Sequence, residues 1–278
     1  LPNTVGIHRL TVGRAHACAL DGNGRAVCWG DDSDGQASPA PGSFIDIAAG
    51  DRFTCALRGH SAVPVESVVC WGAGAAVTDK PANSDLQAIT ASDGNVCAYK
   101  YHGAVVCWGS AGPTIAPPPS WNSRLNRVVV GARHACAWRD FSTIVCWGDN
   151  SVGQRIVPTS GSGSIMVAAG DTTCTTVLGT VQCWGEHSMT LRASIDFGPY
   201  GVPSLEAGEQ HTCTSRSGGT IHCWGEALAG KLDAPFDRMR AISAGGDHAC
   251  GINGEGRVQC WGDGEHGGNI PPSDDVRA

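Results

Sequence analysis

The side chains able to do chemistry recur at fixed intervals. Fourteen cysteines fall into seven successive pairs: Cys18 and Cys28, Cys55 and Cys70, Cys97 and Cys107, Cys136 and Cys146, Cys174 and Cys183, Cys213 and Cys223, Cys250 and Cys260. Five pairs are ten residues apart, one is nine and one is fifteen. Zinc clusters use short Cys-x2–4-Cys knuckles, and none occurs in this sequence. Disulfides are therefore expected, with no metal ligation and no cysteine nucleophile. Two residues before the first cysteine, four units carry His16, His134, His211 and His248; the other three carry Phe53, Asn95 and Thr172. A catalytic or metal ring would need these imidazoles to converge. Substitution by phenylalanine points instead to a recurring packing residue, hydrogen-bonded to a neighbouring backbone.

A carboxylate follows the Cys-Trp-Gly of five units: Asp31, Asp149, Glu186, Glu226 and Asp263. Repeat symmetry sets these on one rim, either as an acidic face for a basic ligand, as a weak Ca2+ site, or as acceptors of backbone N–H groups in Gly-rich turns. Ala73 and Ser110 interrupt the ring, which favours the local role. No Gly-x-Ser-x-Gly elbow, phosphate loop or His-Glu-x-x-His is present. The expectation is a protein without catalytic residues, cofactor or metal.

What must position these residues is a repeat. Cys-Trp-Gly occurs seven times, at intervals of about 40 residues, and all fourteen cysteines and seven of nine tryptophans lie within the pattern. Each unit has an apolar stretch ending in small residues, as in residues 45–50, then a cysteine-bearing run such as residues 16–20. A Gly/Asn turn (21–24) and a return run ending in Cys-Trp-Gly (26–30) follow. Short apolar runs bounded by Gly, Asn, Asp and Pro are strand and hairpin signals. No long window keeps a 3.6-residue period. The fold class is all-β: a seven-bladed β-propeller over residues 1–278, one blade per unit at 7–43, 44–85, 86–124, 125–163, 164–201, 202–238 and 239–278.

A hairpin centred on residues 22–24 sets Cys18 opposite Cys28, within disulfide reach, so one bridge per blade is expected. Disulfides imply an oxidising compartment, outside the cytosol. The tryptophans alternate with the cysteines, so they should point to the opposite sheet face and pack between blades. Residues 7–10 and 276–278 both align with the strand opening at 239–242, from which a ring seam where the termini meet is expected, the alternative being an eighth unit or another domain beyond residue 278.

Of 278 residues, 41% are apolar and 16% charged, with a net charge of −7. That balance counts against a nucleic-acid or anionic-membrane surface, which needs clustered Lys and Arg. No apolar run is long enough to span a bilayer. The opening residues 1–4 lack the charged and apolar regions of a signal peptide, so a processed or trimmed chain is expected.

The unit, with its Ala-Gly, His-x-Cys-Ala-Leu-like run, Gly turn, Val-x-Cys-Trp-Gly and trailing Gly-Gln, resembles the regulator of chromosome condensation repeat. The resemblance implies a seven-bladed propeller. Its cysteine-stapled form is similar to the ectodomains of crinkly-type plant receptor kinases and to secreted microbial repeat proteins. It implies a secreted or cell-surface, non-enzymatic module that recognises an extracellular protein or peptide, of receptor-ectodomain or adhesion type. An inhibitor of an extracellular enzyme or a carbohydrate-binding lectin is the alternative. The expected partners are a protein, peptide or glycan, with no nucleic acid and no membrane insertion. Blades two, three and five depart from the repeat after Cys-Trp-Gly. Their loops supply the surface candidates His60 and Glu66 around a blade-two insertion, Trp121 in a Pro-rich segment, and His187 and Tyr200 in the long blade-five loop.

Overall fold

The computed structural model describes residues 6–59, 67–82, 85–100, 103–119, 125–139, 143–158, 163–177, 179–186, 195–196, 204–216, 218–226, 230, 232–235, 238–264 and 267–271. Seven antiparallel sheets follow one another along the chain, six of three strands and one of four. In blade one the inner strand is Arg9–Val12, the middle strand His16–Leu20 and the outer strand Ala26–Gly30. The other inner strands are Phe44–Ala49, Leu86–Ser92, Leu125–Val130, Gly163–Ala169, Ser204–Ala207 and Met239–Ala244. Each inner strand contacts the next around the axis, and the last contacts the first, so the ring is a closed seven-bladed propeller.

Every component of Cys-Trp-Gly has a separate structural task. The cysteine faces its partner directly across the hairpin, as Cys18 faces Cys28, and all seven pairs are bonded, with Cα atoms 4.0–4.1 Å apart. The tryptophan points the other way and lies in the seam with the preceding blade. Trp71 packs with Cys18, Leu20 and Phe44, and Trp147 with Cys97, Ile115 and Leu125. Each seam is a small hydrophobic core of this kind. The glycine takes φ between 98° and 121° in all seven copies, a backbone state that a side chain opposes, and from it the chain leaves the sheet.

The indole N–H of five tryptophans donates to a carbonyl in the trailing loop of the blade before. Trp71 reaches Gln36 (2.9 Å), Trp108 reaches Ala76 (2.9 Å), Trp147 reaches Ile115 (2.6 Å) and Trp184 reaches Gln154 (2.8 Å). Trp29 does the same across the ring seam, to Gly268 at 3.0 Å. In blades two and three the acceptors sit in short helical turns, Ala75–Thr78 and Gly112–Ile115, which no helical period in the sequence announces. A fourth strand, Ile195–Asp196, occurs in blade five.

Among the described residues no strand is exchanged between the first and last blades. Blade one contains its own inner strand from residues 9–12, and the three described strands of blade seven lie within residues 239–262. Ile7, Val12, Ala17 and Trp29 form one core with Cys250, Ile252 and Val258. The Ser243 hydroxyl accepts from Val12 N–H (3.1 Å), and Arg240 donates to the Ile7 carbonyl (2.8 Å). Residues 276–278 lie outside the described residues. Trp29→Phe should therefore cost about 1–3 kcal/mol, by leaving the buried Gly268 carbonyl without its donor. Trp29→Ala should cost about 3–5 kcal/mol. Urea unfolding measures both; equal stability of all three proteins would mean that this seam is not held by the indole.

Candidate functional site

Each blade runs up its inner strand, down the middle one and up the outer one. The turns between inner and middle strands therefore gather at one end of the axis, the mouth end. These turns explain the recurrent Ala-Gly. A Cβ on Gly13, Gly131 or Gly208 would lie within 2.6 Å of the ring of His16, His134 or His211, and would strike a carbonyl of the next blade as well. The space kept free lets neighbouring turns bond directly through their backbones. Arg14 N–H donates to Gly50, Asp51 to Asp93, Ala132 to Gly170, Glu209 to Gly245, and Gly246 to Gly13, at 2.7–3.3 Å.

Two of the histidines fasten these same turns to a hydroxyl of the following blade. His16 Nε2 lies 2.8 Å from Thr54 Oγ1, and His134 Nε2 lies 2.6 Å from Thr173 Oγ1. In blade three, Asn95 donates instead to the carbonyls of Gly131 and Ala132. For His16 and His134 the partner is thus a side-chain hydroxyl rather than the backbone expected from the sequence. All four histidines are buried. Burial holds His16, His134 and His248 down to about 4, and the charge of neighbouring His248 adds to the effect on His16. At neutral pH these three are uncharged structural pins. No group of three or more His, Cys, Asp or Glu able to hold a metal occurs among the described residues.

The mouth itself is ringed by Arg14, Asp51, Asp93 and Glu209, above small residues such as Ala49, Ala91, Ala169 and Ala244 that end the inner strands. Arg14 Nη1 stands 3.8 Å from Asp51 and 3.9 Å from Glu209, so it bridges blades one, two and six. The Asp93 carboxylate accepts from the Ser92 hydroxyl (2.7 Å) and from the backbone N–H of Gly170. Burial raises the pKa of Asp93 and Glu209, and the surrounding carboxylates Asp51, Asp171 and Asp247 add to it. In the mouth lining one guanidinium, Arg14, stands among the three carboxylates of Asp51, Asp93 and Glu209, while Asp171 nearby is paired with Arg133 at 2.8 Å.

The candidate carboxylates after Cys-Trp-Gly lie at this same end, each placed there by a backbone bond. The N–H of Asp31, Asp149, Glu186, Glu226 and Asp263 each donates to the inner-to-middle turn of its own blade, at 2.9–3.1 Å, and those of Ala73 and Ser110 do likewise. Asp31 and Asp149 are occupied locally. Asp31 accepts from Ser33 N–H (3.1 Å) and Gln36 Nε2 (2.8 Å), and Asp149 from Ser151 N–H (3.1 Å) and hydroxyl (2.7 Å). The Ser151 bonds, chiefly, lower the pKa of Asp149. The other candidates, His60, Glu66, Trp121, His187 and Tyr200, lie outside the described residues. Sequence reading passed over the mouth ring, although a signal was available: the residue after the Ala-Gly or Val-Gly that ends the apolar stretch is Arg14, Asp51, Asp171 and Glu209 in blades one, two, five and six, against Ala132 and Gly246 in blades four and seven.

The model of the regulator of chromosome condensation (RCC1) repeat matches residues 7–36 and 239–267, in units one and seven. The ectodomain of the Physcomitrella patens receptor kinase CR4 is similar over 93% of this chain and 74% of its own, at 25% identity and a TM-score of 0.75. Units one and seven thus carry the regulator of chromosome condensation repeat, and the ring as a whole is similar to a receptor-kinase ectodomain. The CRINKLY ectodomain of the Arabidopsis thaliana receptor kinase ACR4 shares the fold over 96% of the present chain and 100% of its own, at 21% identity and TM-score 0.75. Prp20p of Saccharomyces cerevisiae, described with its binding to Gsp1p and histones, shares the fold at 16% identity and TM-score 0.68, over 86% and 80% of the two chains. No curated protein matches the sequence.

Proposed function

We propose that residues 1–278 form one extracellular, non-enzymatic binding module that docks a basic segment of a protein or peptide on its mouth end. The observation that carries this reading is the shortage of positive charge at the mouth, where Arg14 alone bridges Asp51 and Glu209 while Asp93 and Glu209 are pushed toward protonation. A lysine or arginine side chain entering there would neutralise carboxylates already desolvated, where charge pairs are stronger than in water. Seven disulfides and the likeness to receptor ectodomains support an extracellular setting. A receptor or adhesion role is the preferred form, and inhibition of an extracellular enzyme is the alternative. Trp121 and Tyr200 are retained as rim contacts that would add affinity around the charged centre.

The test is titration of a tetra-arginine peptide, followed by any partner captured from extracellular fluid. Asp51→Asn combined with Glu209→Gln should weaken binding at least fivefold with no loss of melting temperature, and salt should weaken the unmodified protein's binding more than the variant's. Equal binding by the two proteins would remove the mouth as the site.

A further inference from the structure

The net charge of −7 conceals a separation along the axis. While carboxylates crowd the mouth end, arginines collect at the opposite end, where the middle-to-outer hairpins turn and the inner strands begin. They form an arc across blades six, seven, one and two. In blades seven and one the same turn is built twice. Asp21 accepts from the N–H groups of Asn23 and Arg25 (2.9 and 2.8 Å), and Asn253 from those of Glu255 and Arg257 (3.0 and 2.9 Å). Arg25 and Arg257 therefore occupy equivalent outward positions, both exposed. In blade six, Gly219 bonds to the Arg216 carbonyl and its own carbonyl takes the Met239 N–H, so exposed Arg216 and Arg238 flank one turn. In blade two, Arg58 lies over the Phe44 ring, 5.7 Å from its centroid. Arg240 reaches across the seam to Ile7, beside exposed His8 and Arg9.

Few described carboxylates oppose this arc. Asp46 pairs with Arg9 (3.6 Å), and Glu255 with Arg257 (3.5 Å), both arginines remaining more than half exposed. Asp21 is turned inward on its own hairpin. A curved row of guanidiniums on successive blades suits a long, repeating anion, because each can clasp a carboxylate or sulfate through two N–H donors.

We propose that this end binds an acidic polysaccharide, bearing uronate or sulfate groups, along the arc from Arg216 to Arg58. The choice among polyanions follows from what accompanies the charge. Single-stranded nucleic acid is held by stacking on aromatic rings, yet the exposed large apolar residues described are all aliphatic: Ile45, Val152, Ile156 and Ile270. A membrane surface would call for several such residues beside the arginines, and only Ile45, at the start of the blade-two inner strand, lies at this end. Disulfide bonding places the arc where extracellular polysaccharides are the abundant polyanions. The proposal is independent of what binds at the mouth.

Calorimetric titration with a heparin-derived dodecasaccharide and with oligogalacturonate of similar length tests it, at several NaCl concentrations from about 50 mM upward. Duplex DNA and phosphatidylserine vesicles serve as rival polyanions. At least one polysaccharide should bind, more tightly than DNA or vesicles, and the two sugars separate sulfate from carboxylate recognition. The triple variant Arg25→Ser, Arg238→Ser, Arg257→Ser should lose at least tenfold in affinity and show a salt slope shallower by about two to three. Arg133→Ser with Arg155→Ser, at the mouth end, should leave both unchanged. Failure of both sugars to bind at about 50 mM salt, tighter binding of DNA or vesicles, or full affinity in the triple variant would overturn the proposal.

Discussion

Acidification from pH 7 to pH 5 should cost this propeller several kcal/mol of stability, through three histidines that lie between blades. His16, His134 and His248 titrate near 6.5 in an unfolded chain but near 4 when folded, because burial disfavours their charged form. A base with a lowered folded pKa takes up protons on unfolding. Its contribution is fully present above about 6.5 and is lost as the pH falls toward 4. Over the interval from pH 7 to 5 each histidine accounts for about 2 kcal/mol. Glu206 acts in the opposite sense. Burial raises its carboxyl to about 8, so its folded form gains stability as the pH drops through that value toward the ordinary carboxylate range. Asp46, Asp93 and Glu209, also raised by burial, oppose the histidines at lower pH. The expected result is a net fall of about 3 kcal/mol between pH 7 and 5 in urea-derived stability. Glu206→Gln should steepen it. His134→Asn, which copies the residue blade three already uses at this position, should remove about a third of the histidine contribution. A stability that is flat with pH, or an unchanged dependence in His134→Asn, would show that these imidazoles are not the acid-sensitive pins.

The fold was legible because each blade repeats its chemistry, so local register could be read from residue spacing. Cysteines ten positions apart, with a Gly-Asn turn midway, leave one antiparallel register in which both side chains share a face, and the tryptophan one residue on must take the other face. The partners of these residues were not legible, since they lie in the next blade. No spacing within a unit indicates that His16 meets Thr54, or that Trp29 meets Gly268 across the seam. The mouth ring was missed for the same reason. Arg14, Asp51 and Glu209 are unremarkable in their own turns, and their proximity depends on closing seven blades around an axis. The arginine arc was hidden by summation, because a single net charge carries no information on which end of a propeller each residue occupies.

Reduction of the seven disulfides should unfold the chain completely, and it should do so only once the blades are already open. Each bridge closes a loop of about ten residues, worth about 3 kcal/mol in the chain-entropy model. Summed over the ring, that exceeds the roughly 5–15 kcal/mol by which domains are stable, even though the bridges do not act additively. Access is a separate matter. In each bridge one cysteine (Cys18, Cys55, Cys97, Cys136, Cys174, Cys213 or Cys250) is fully buried against the next blade and its partner is partly exposed, so attack on the accessible sulfur has to expel a thiolate into a buried apolar seam. Native protein in dithiothreitol should therefore react at a rate that follows global or blade opening, and this rate should rise steeply in urea concentrations well below the unfolding midpoint. Removing a single bridge, with Cys136→Ala and Cys146→Ala together, should leave a folded ring destabilised by about 3 kcal/mol. Quenched alkylation and mass mapping follow the reaction, and near-ultraviolet circular dichroism follows the packing of the seam tryptophans. A fully reduced, alkylated chain that kept its tryptophan signal would sink this account, because the hydrophobic seams alone would then suffice to hold the propeller closed.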